Sequence, residues 1–114
     1  MESCLFCKIV RREIPGSIVY EDDQILAFND INAQAPTHVL IIPKRHIESL
    51  NVLEEGDDRI VGEMVRRAAA IAKERGISAG GYRTVFNTNS DAGQTVFHIH
   101  LHLLGGRALS WPPG

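Results

Sequence analysis

Thr95-Val96-Phe97-His98-Ile99-His100-Leu101-His102-Leu103-Leu104 is the stretch on which the reading of this chain turns. It holds three of the five histidines, spaced by two, with apolar residues between them. Side chains alternate across a β-strand, so His98, His100 and His102 are expected on one face. Ile99, Leu101 and Leu103 then share the other face, against a core. Alternation this strict fits a strand and not a helical period. Each imidazole has two ring nitrogens that need partners when buried. A row of purely structural histidines would need matched partners for all of them. A single metal held by all three is ruled against by reach. A strand rising about 3.3 Å per residue separates His98 from His102 by roughly 13 Å, and zinc bonds run near ~2.0–2.1 Å. An adjacent pair could still share a metal. Catalysis on an anion, with neighbouring imidazoles as nucleophile, acid and phosphate binder, fits best.

The rest of the composition narrows the class. A chain of 114 residues with 44% hydrophobic content reads as one domain, 1–114, with a real core and an extended tail over 108–114. A net charge of −2 gives no basic footprint for nucleic acid. No apolar run approaches the ~20 residues of a membrane span and no signal peptide opens the chain, so a cytoplasmic protein without a membrane partner is expected. Two cysteines three apart suggest a reducing compartment and a metal or redox role.

Hydrophobic periodicity predicts the elements. Ser3 to Arg12 reads as a short helix with Cys4 and Cys7 on one face, ended by Ile14-Pro15-Gly16. Ile18 to Glu21 and Ile25 to Phe28 read as strands joined by a turn at Asp22-Asp23-Gln24. His38 to Ile42 is a buried-type strand closed by Pro43, and His46 to Leu50 a helical turn. The strongest helix runs from about Asp57 to Arg75, with Ile60, Val61, Met64, Val65, Ala68, Ile71 and Ala72 as one apolar stripe. Glu63 and Arg67 can pair on it, and Gly76 stops it. Tyr82 to Asn87 is a strand, turned by Ser90 to Gly93 into the histidine strand. Strands around one long helix, with hairpin-length connections late in the chain, predict α+β with a largely antiparallel sheet.

Other residues could carry chemistry. Gly93-Gln94-Thr95 stands at a turn-to-strand junction, where backbone N–H groups and a hydroxyl can meet a phosphate; a glycine at a hairpin turn is also expected for its own sake. Asn87 would face that junction, or simply form a turn. Asp30 could accept from sugar hydroxyls, or open a loop. Cys4, Cys7, His46 and His98 have the composition of a closed Cys₂His₂ zinc site, although two cysteines can be small buried hydrophobes. His38 opens a buried-type strand and is either a satisfied core histidine or an orienter of another side chain. Trp111 sits in a stiff Trp-Pro-Pro-Gly tail, packed on its own domain or docked on a partner.

Together these residues resemble the histidine-triad (HIT) family of nucleotide hydrolases and transferases. The signature stands as His98-Ile99-His100-Leu101-His102-Leu103-Leu104. It is joined by Phe6-Cys7-Lys8-Ile9, Glu13-Ile14-Pro15, Tyr20-Glu21-Asp22, Ala35-Pro36-Thr37-His38 and Ile42-Pro43-Lys44-Arg45-His46. The ending, Leu104-Gly105-Gly106-Arg107 and then Trp111-Pro112-Pro113-Gly114, is similar to the Hint branch, the histidine triad nucleotide-binding proteins. The resemblance implies a five-stranded antiparallel sheet with one long and one short helix, joined in a homodimer into a ten-stranded sheet. It implies a purine nucleoside phosphoramidase cleaving adenosine 5′-phosphoramidates and acyl-adenylates to AMP. The alternatives are a diadenosine polyphosphate hydrolase and a nucleotide-binding interaction protein with incidental catalysis. By position, His100 would be the nucleophile, supported by His102, His38 and Thr95. The phosphate would meet His102, Asn87, Gly93, Gln94, Thr95 and Val96, and Asp30 the ribose. Phe6, Ile9, Ile14, Phe28 and Ile31 would line the base pocket. Cys4, Cys7, His46 and His98 match the positions of a structural zinc site found in part of the family; no catalytic metal is required. The tail would reach toward the partner's active site.

Overall fold

The computed structural model describes residues 2–114. Helix α1 spans Leu5–Val10 and α2 Asp58–Glu74. The strands are β1 Ile18–Glu21, β2 Ile25–Asn29, β3 Thr37–Pro43, β4 Tyr82–Val85 and β5 Leu101–Gly105. They form one sheet in the order β1-β2-β3-β5-β4, every neighbouring pair antiparallel. The expected α+β architecture is therefore the observed one. No helix among the described residues is long and apolar enough to cross a membrane.

Strand β3 is buried at every position because both faces of the sheet are covered. Alternation sorts its side chains and those of β2. Ala27, Val39 and Ile41 join Leu101 and Leu103 under Met64, Ala68, Ile71 and Ala72 of α2. Leu26, Phe28, Leu40 and Ile42 face the other way, against Phe6 and Ile9 of α1. Ile99 continues the α2 side of the core, so the predicted division of the histidine segment holds. The ladder itself begins only at Leu101, later than the expected strand over 95–104. Before it, the Ile99 N–H donates to the Ile47 carbonyl at 2.8 Å. That bond also explains why 46–49 runs extended in place of the expected helical turn. Its carbonyls serve the histidine segment, and a 3-10 turn starts only at Leu50, capped by the Ser49 hydroxyl.

Several further expectations are corrected. α1 is shorter than Ser3 to Arg12, since Cys4 is its N-cap and the chain leaves the helix at Arg11. In α2, Val65 is 47% exposed, so the apolar stripe is narrower than its period suggested. Glu63 pairs with Arg59 at 3.1 Å, one turn earlier than expected, while the Arg67 guanidinium lies 3.7 Å over the Tyr20 ring. Asp57 stays outside α2 because its carboxylate accepts the Glu54 N–H at 2.9 Å and pairs with Arg45. The C-terminal stop is as predicted. Gly76 takes φ +73, with Ile77 N–H on the Ala72 carbonyl at 3.0 Å and Gly76 N–H on Lys73 at 3.1 Å, the paired bonds of a Schellman motif. β4 ends at Val85, and residues 86–100 between it and β5 are no hairpin turn. They form a loop built around the buried Gln94, whose side chain bonds Asn89 N–H and the carbonyls of Glu48 and Val96.

Candidate active site

The strand register brings the histidines together. Leu40 lies opposite His102 and His38 opposite Leu104, so His38 and His102 are diagonal neighbours on the α1 face. The His100 and His102 rings have centroids 5.0 Å apart, and Phe6 stands edge-on to His100 at 5.0 Å.

Backbone groups fix the ring protons. His100 Nδ1 lies 2.8 Å from the His98 carbonyl; a carbonyl can only accept, so Nδ1 carries the hydrogen and Nε2 keeps a lone pair. His38 Nδ1 accepts the Gln34 N–H at 3.0 Å, which puts the neutral ring's hydrogen on Nε2. That nitrogen is 2.9 Å from His102 Nδ1 and 3.3 Å from Asp30 Oδ2. His102 Nδ1 is thus the acceptor, and its Nε2 bears the hydrogen. Side by side stand one imidazole with a free lone pair and one with an N–H. Burial keeps both neutral. It lowers the pKa of His100, and together with His100 and His38 it takes His102 down to about 4. Burial lowers that of His38 as well, against the pull of Asp30.

The third triad histidine faces elsewhere. His98 is fully buried and donates from Nε2 to the Pro43 carbonyl at 2.7 Å, leaving its Nδ1 lone pair toward Cys4 and Cys7, each at 3.5 Å. His46 Nδ1 is 3.3 Å from Cys7 Sγ. The donor atoms of these four residues all lie within 4.8 Å of one another. Burial and the neighbouring Cys4 push the Cys7 thiol up, a cost that a bound cation removes. Two soft sulfurs and two imidazoles fit zinc. Asp30, His38 and His102 are as closely gathered but differ in kind. Ligation by His38 Nε2 would move its hydrogen to Nδ1, against the Gln34 N–H. That group is arranged to hold a proton.

A cleft of about 490 Å³ opens beside the histidines. Of the residues expected to bind a nucleotide, Phe6, Ile9, Ile14, Phe28, Asp30, Ile31, Thr95, Val96, His100 and His102 line it. Its lining combines apolar walls with the two imidazoles, Asp30 and Thr95. Asn87, Gly93 and Gln94 stand outside its walls, and the Gln94 amide is taken up by the loop.

A family model described as "Scavenger mRNA decapping enzyme C-term binding" matches residues 3–110. The purine nucleoside phosphoramidase of Escherichia coli K12 is 52% identical over 108 residues, 95% of this chain and 91% of that one. A HIT family hydrolase from Legionella pneumophila superposes with a TM-score of 0.97 at 55% identity, covering 98% of this chain and 100% of that one. A second, from Clostridium thermocellum, does so with a TM-score of 0.93 at 46% identity over 96% of each.

The chain belongs to the histidine-triad family.

Within this HIT fold, the contributions that sequence reasoning missed are mostly main-chain atoms. The Gln34 N–H, the Pro43 carbonyl and the His98 carbonyl settle three ring tautomers, and no side-chain motif announces them. Leu5 and Leu40 also line the HIT cleft. Leu5 could have been found, since it shares the apolar side of α1 with Ile9. Leu40 was hidden inside an uninterrupted apolar run that reads only as core.

Proposed function

We propose that this HIT protein hydrolyses purine nucleoside 5′-phosphoramidates and acyl-adenylates to the nucleoside monophosphate, through a nucleotidyl-histidine at His100. The observation that carries the reading is the pair of opposite tautomers, His100 with a bare Nε2 and His102 with an Nε2–H, both lining one cleft. The base lies against Phe6, Ile9, Ile14, Phe28 and Ile31, and Asp30 accepts from the ribose. His100 Nε2 attacks phosphorus, the bond from phosphorus to the leaving nitrogen breaks, and the amine departs with the proton that the phosphoramidate brings. The His100 ring is then cationic, and its Nδ1–H bond to the His98 carbonyl becomes charge-assisted. His102, the Thr95 hydroxyl and the backbone N–H groups of Thr95 and Val96 stabilise the phosphoryl oxygens. Water attacks the same phosphorus, the pair returns to Nε2, and the monophosphate leaves with the water oxygen.

The proposal includes a structural zinc ion on Cys4, Cys7, His46 and His98, supported by the donor set; when bound it supplies a clamp between α1 and the histidine segment. It also includes a homodimer. In support, β4 pairs on one side only, with β5, which leaves an edge that a second copy could extend to ten strands.

The test is a panel of adenosine and guanosine phosphoramidates and diadenosine polyphosphates, read by turnover and by intact-protein mass. Phosphoramidates are expected to be cleaved fastest, with a nucleotidyl adduct on the wild-type chain. His100→Ala should lose turnover and adduct while still binding AMP. Activity of that variant within tenfold of wild type would sink the assignment.

A further inference from the structure

A second basin, of about 500 Å³, adjoins the nucleotide cleft. The two share Leu5, Thr95 and Val96 as walls. Thr95 lines the cleft together with His100 and His102, so on the phosphoramidase reading a group bonded to phosphorus on the side away from the ribose has this shared wall beside it. The basin receives it there. Its apolar surface comes from Leu5 and Phe97, each 44% exposed. Its floor includes Cys4 and His46, whose donor atoms turn toward the Cys₂His₂ cluster. One carboxylate remains, that of Glu48. It forms no ion pair among the described residues, and the Glu48 carbonyl is anchored by Gln94 Nε2 at 2.9 Å. An unpaired carboxylate beside exposed apolar surface suits a short alkyl or aryl chain ending in a cation.

We infer that this basin is the subsite for the leaving amine's substituent, and that Glu48 makes it selective for amines carrying a second, cationic group. The inference rests on the phosphoramidase reading and names the part of its substrate that the nucleotide cleft leaves undefined. Leu5 and Phe97 cover the chain and Glu48 meets its charged end.

Three adenosine 5′-phosphoramidates test it: the unsubstituted amide, the n-pentylamine conjugate and the 1,4-diaminobutane conjugate. The last two are nearly isosteric and differ by a terminal methyl against an ammonium. In the wild type, kcat/KM for the diaminobutane conjugate should exceed that for the pentyl conjugate about two- to fivefold, the range that an exposed ion pair supplies. Raised salt should shrink the ratio. Glu48→Gln should bring it to about one and leave the unsubstituted amide unaffected. Phe97→Ala should slow both alkyl conjugates relative to the unsubstituted amide. Cleavage of the unsubstituted amide with no discrimination in the wild type, or a ratio that survives Glu48→Gln, overturns the basin and leaves the phosphoramidase standing. No cleavage of any of the three overturns both.

Discussion

His98 serves two sites at once: its ring faces the cysteines, while its carbonyl holds the ring of His100. The sequence showed which residue types gather here, because alternation alone puts three imidazoles on one face. It did not show which nitrogen of each carries hydrogen, since the deciding partners at Gln34, Pro43 and His98 are main-chain atoms that every residue possesses. The buried neutral rings have a measurable consequence. An unfolded histidine takes up its proton near ~6.5, whereas folded His102 does so only at about 4. Below ~6.5 the unfolded chain binds more protons, so this group's share of stability is present above that pH and is lost as pH falls toward 4. Urea midpoints measured from pH 7 to 4.5 should decline, and His102→Asn should flatten the decline. Equal slopes in the two proteins would show that His102 is not held neutral.

At the scale of elements, most segments were legible, the four-residue β1 included, and the helical turn at His46 was not. α2 was found to within a residue at each end, and β2 and β3 were read from apolar runs bounded by turn signals. The helical turn expected at His46 failed because the carbonyls of Ile47 and Glu48 are claimed by Ile99 and Gln94, partners far away in sequence. α1 is the opposite case, a correct element that cannot stand alone. Six residues lie well below the ~12–15 that an isolated helix needs, so α1 depends on Phe6 and Ile9 in the core and on the thiol–imidazole cluster. Cys4→Ser and Cys7→Ser should each lower Tm by at least about 4 °C, the shift that ~1 kcal/mol produces near this chain length. They should also release zinc from protein purified without chelator and speed hydrogen exchange in Leu5–Val10 while sparing α2. Unchanged Tm together with metal-free wild-type protein would defeat the zinc assignment.

Across the whole molecule, the sheet order joins residues that sequence keeps far apart, and the C-terminal tail returns to that sheet. Arg83 of β4 donates to the Ser110 carbonyl at 3.0 Å and holds its guanidinium 5.9 Å over Trp111, whose side chain is otherwise open, at 80% exposure. Arg107 donates to the Gln34 carbonyl at 3.0 Å, close to the His38 relay. Deleting 108–114 should therefore change relative rates on different leaving amines while the chain folds and the proposed dimer persists. Uniform loss on every substrate, or a monomer by light scattering, would count against that role. The placement of β5 has a consequence for how this protein is made. The last of these five strands in chain order lies inside the sheet, between β3 and β4. Until residues 101–105 have cleared the ribosome, the nascent chain carries β3 with one edge unpaired, and that strand is apolar along most of its length. An open apolar edge recruits other chains. A chain cut short before residue 101 thus yields a sticky fragment for chaperones and proteases, while one cut just after residue 107 keeps all five strands paired.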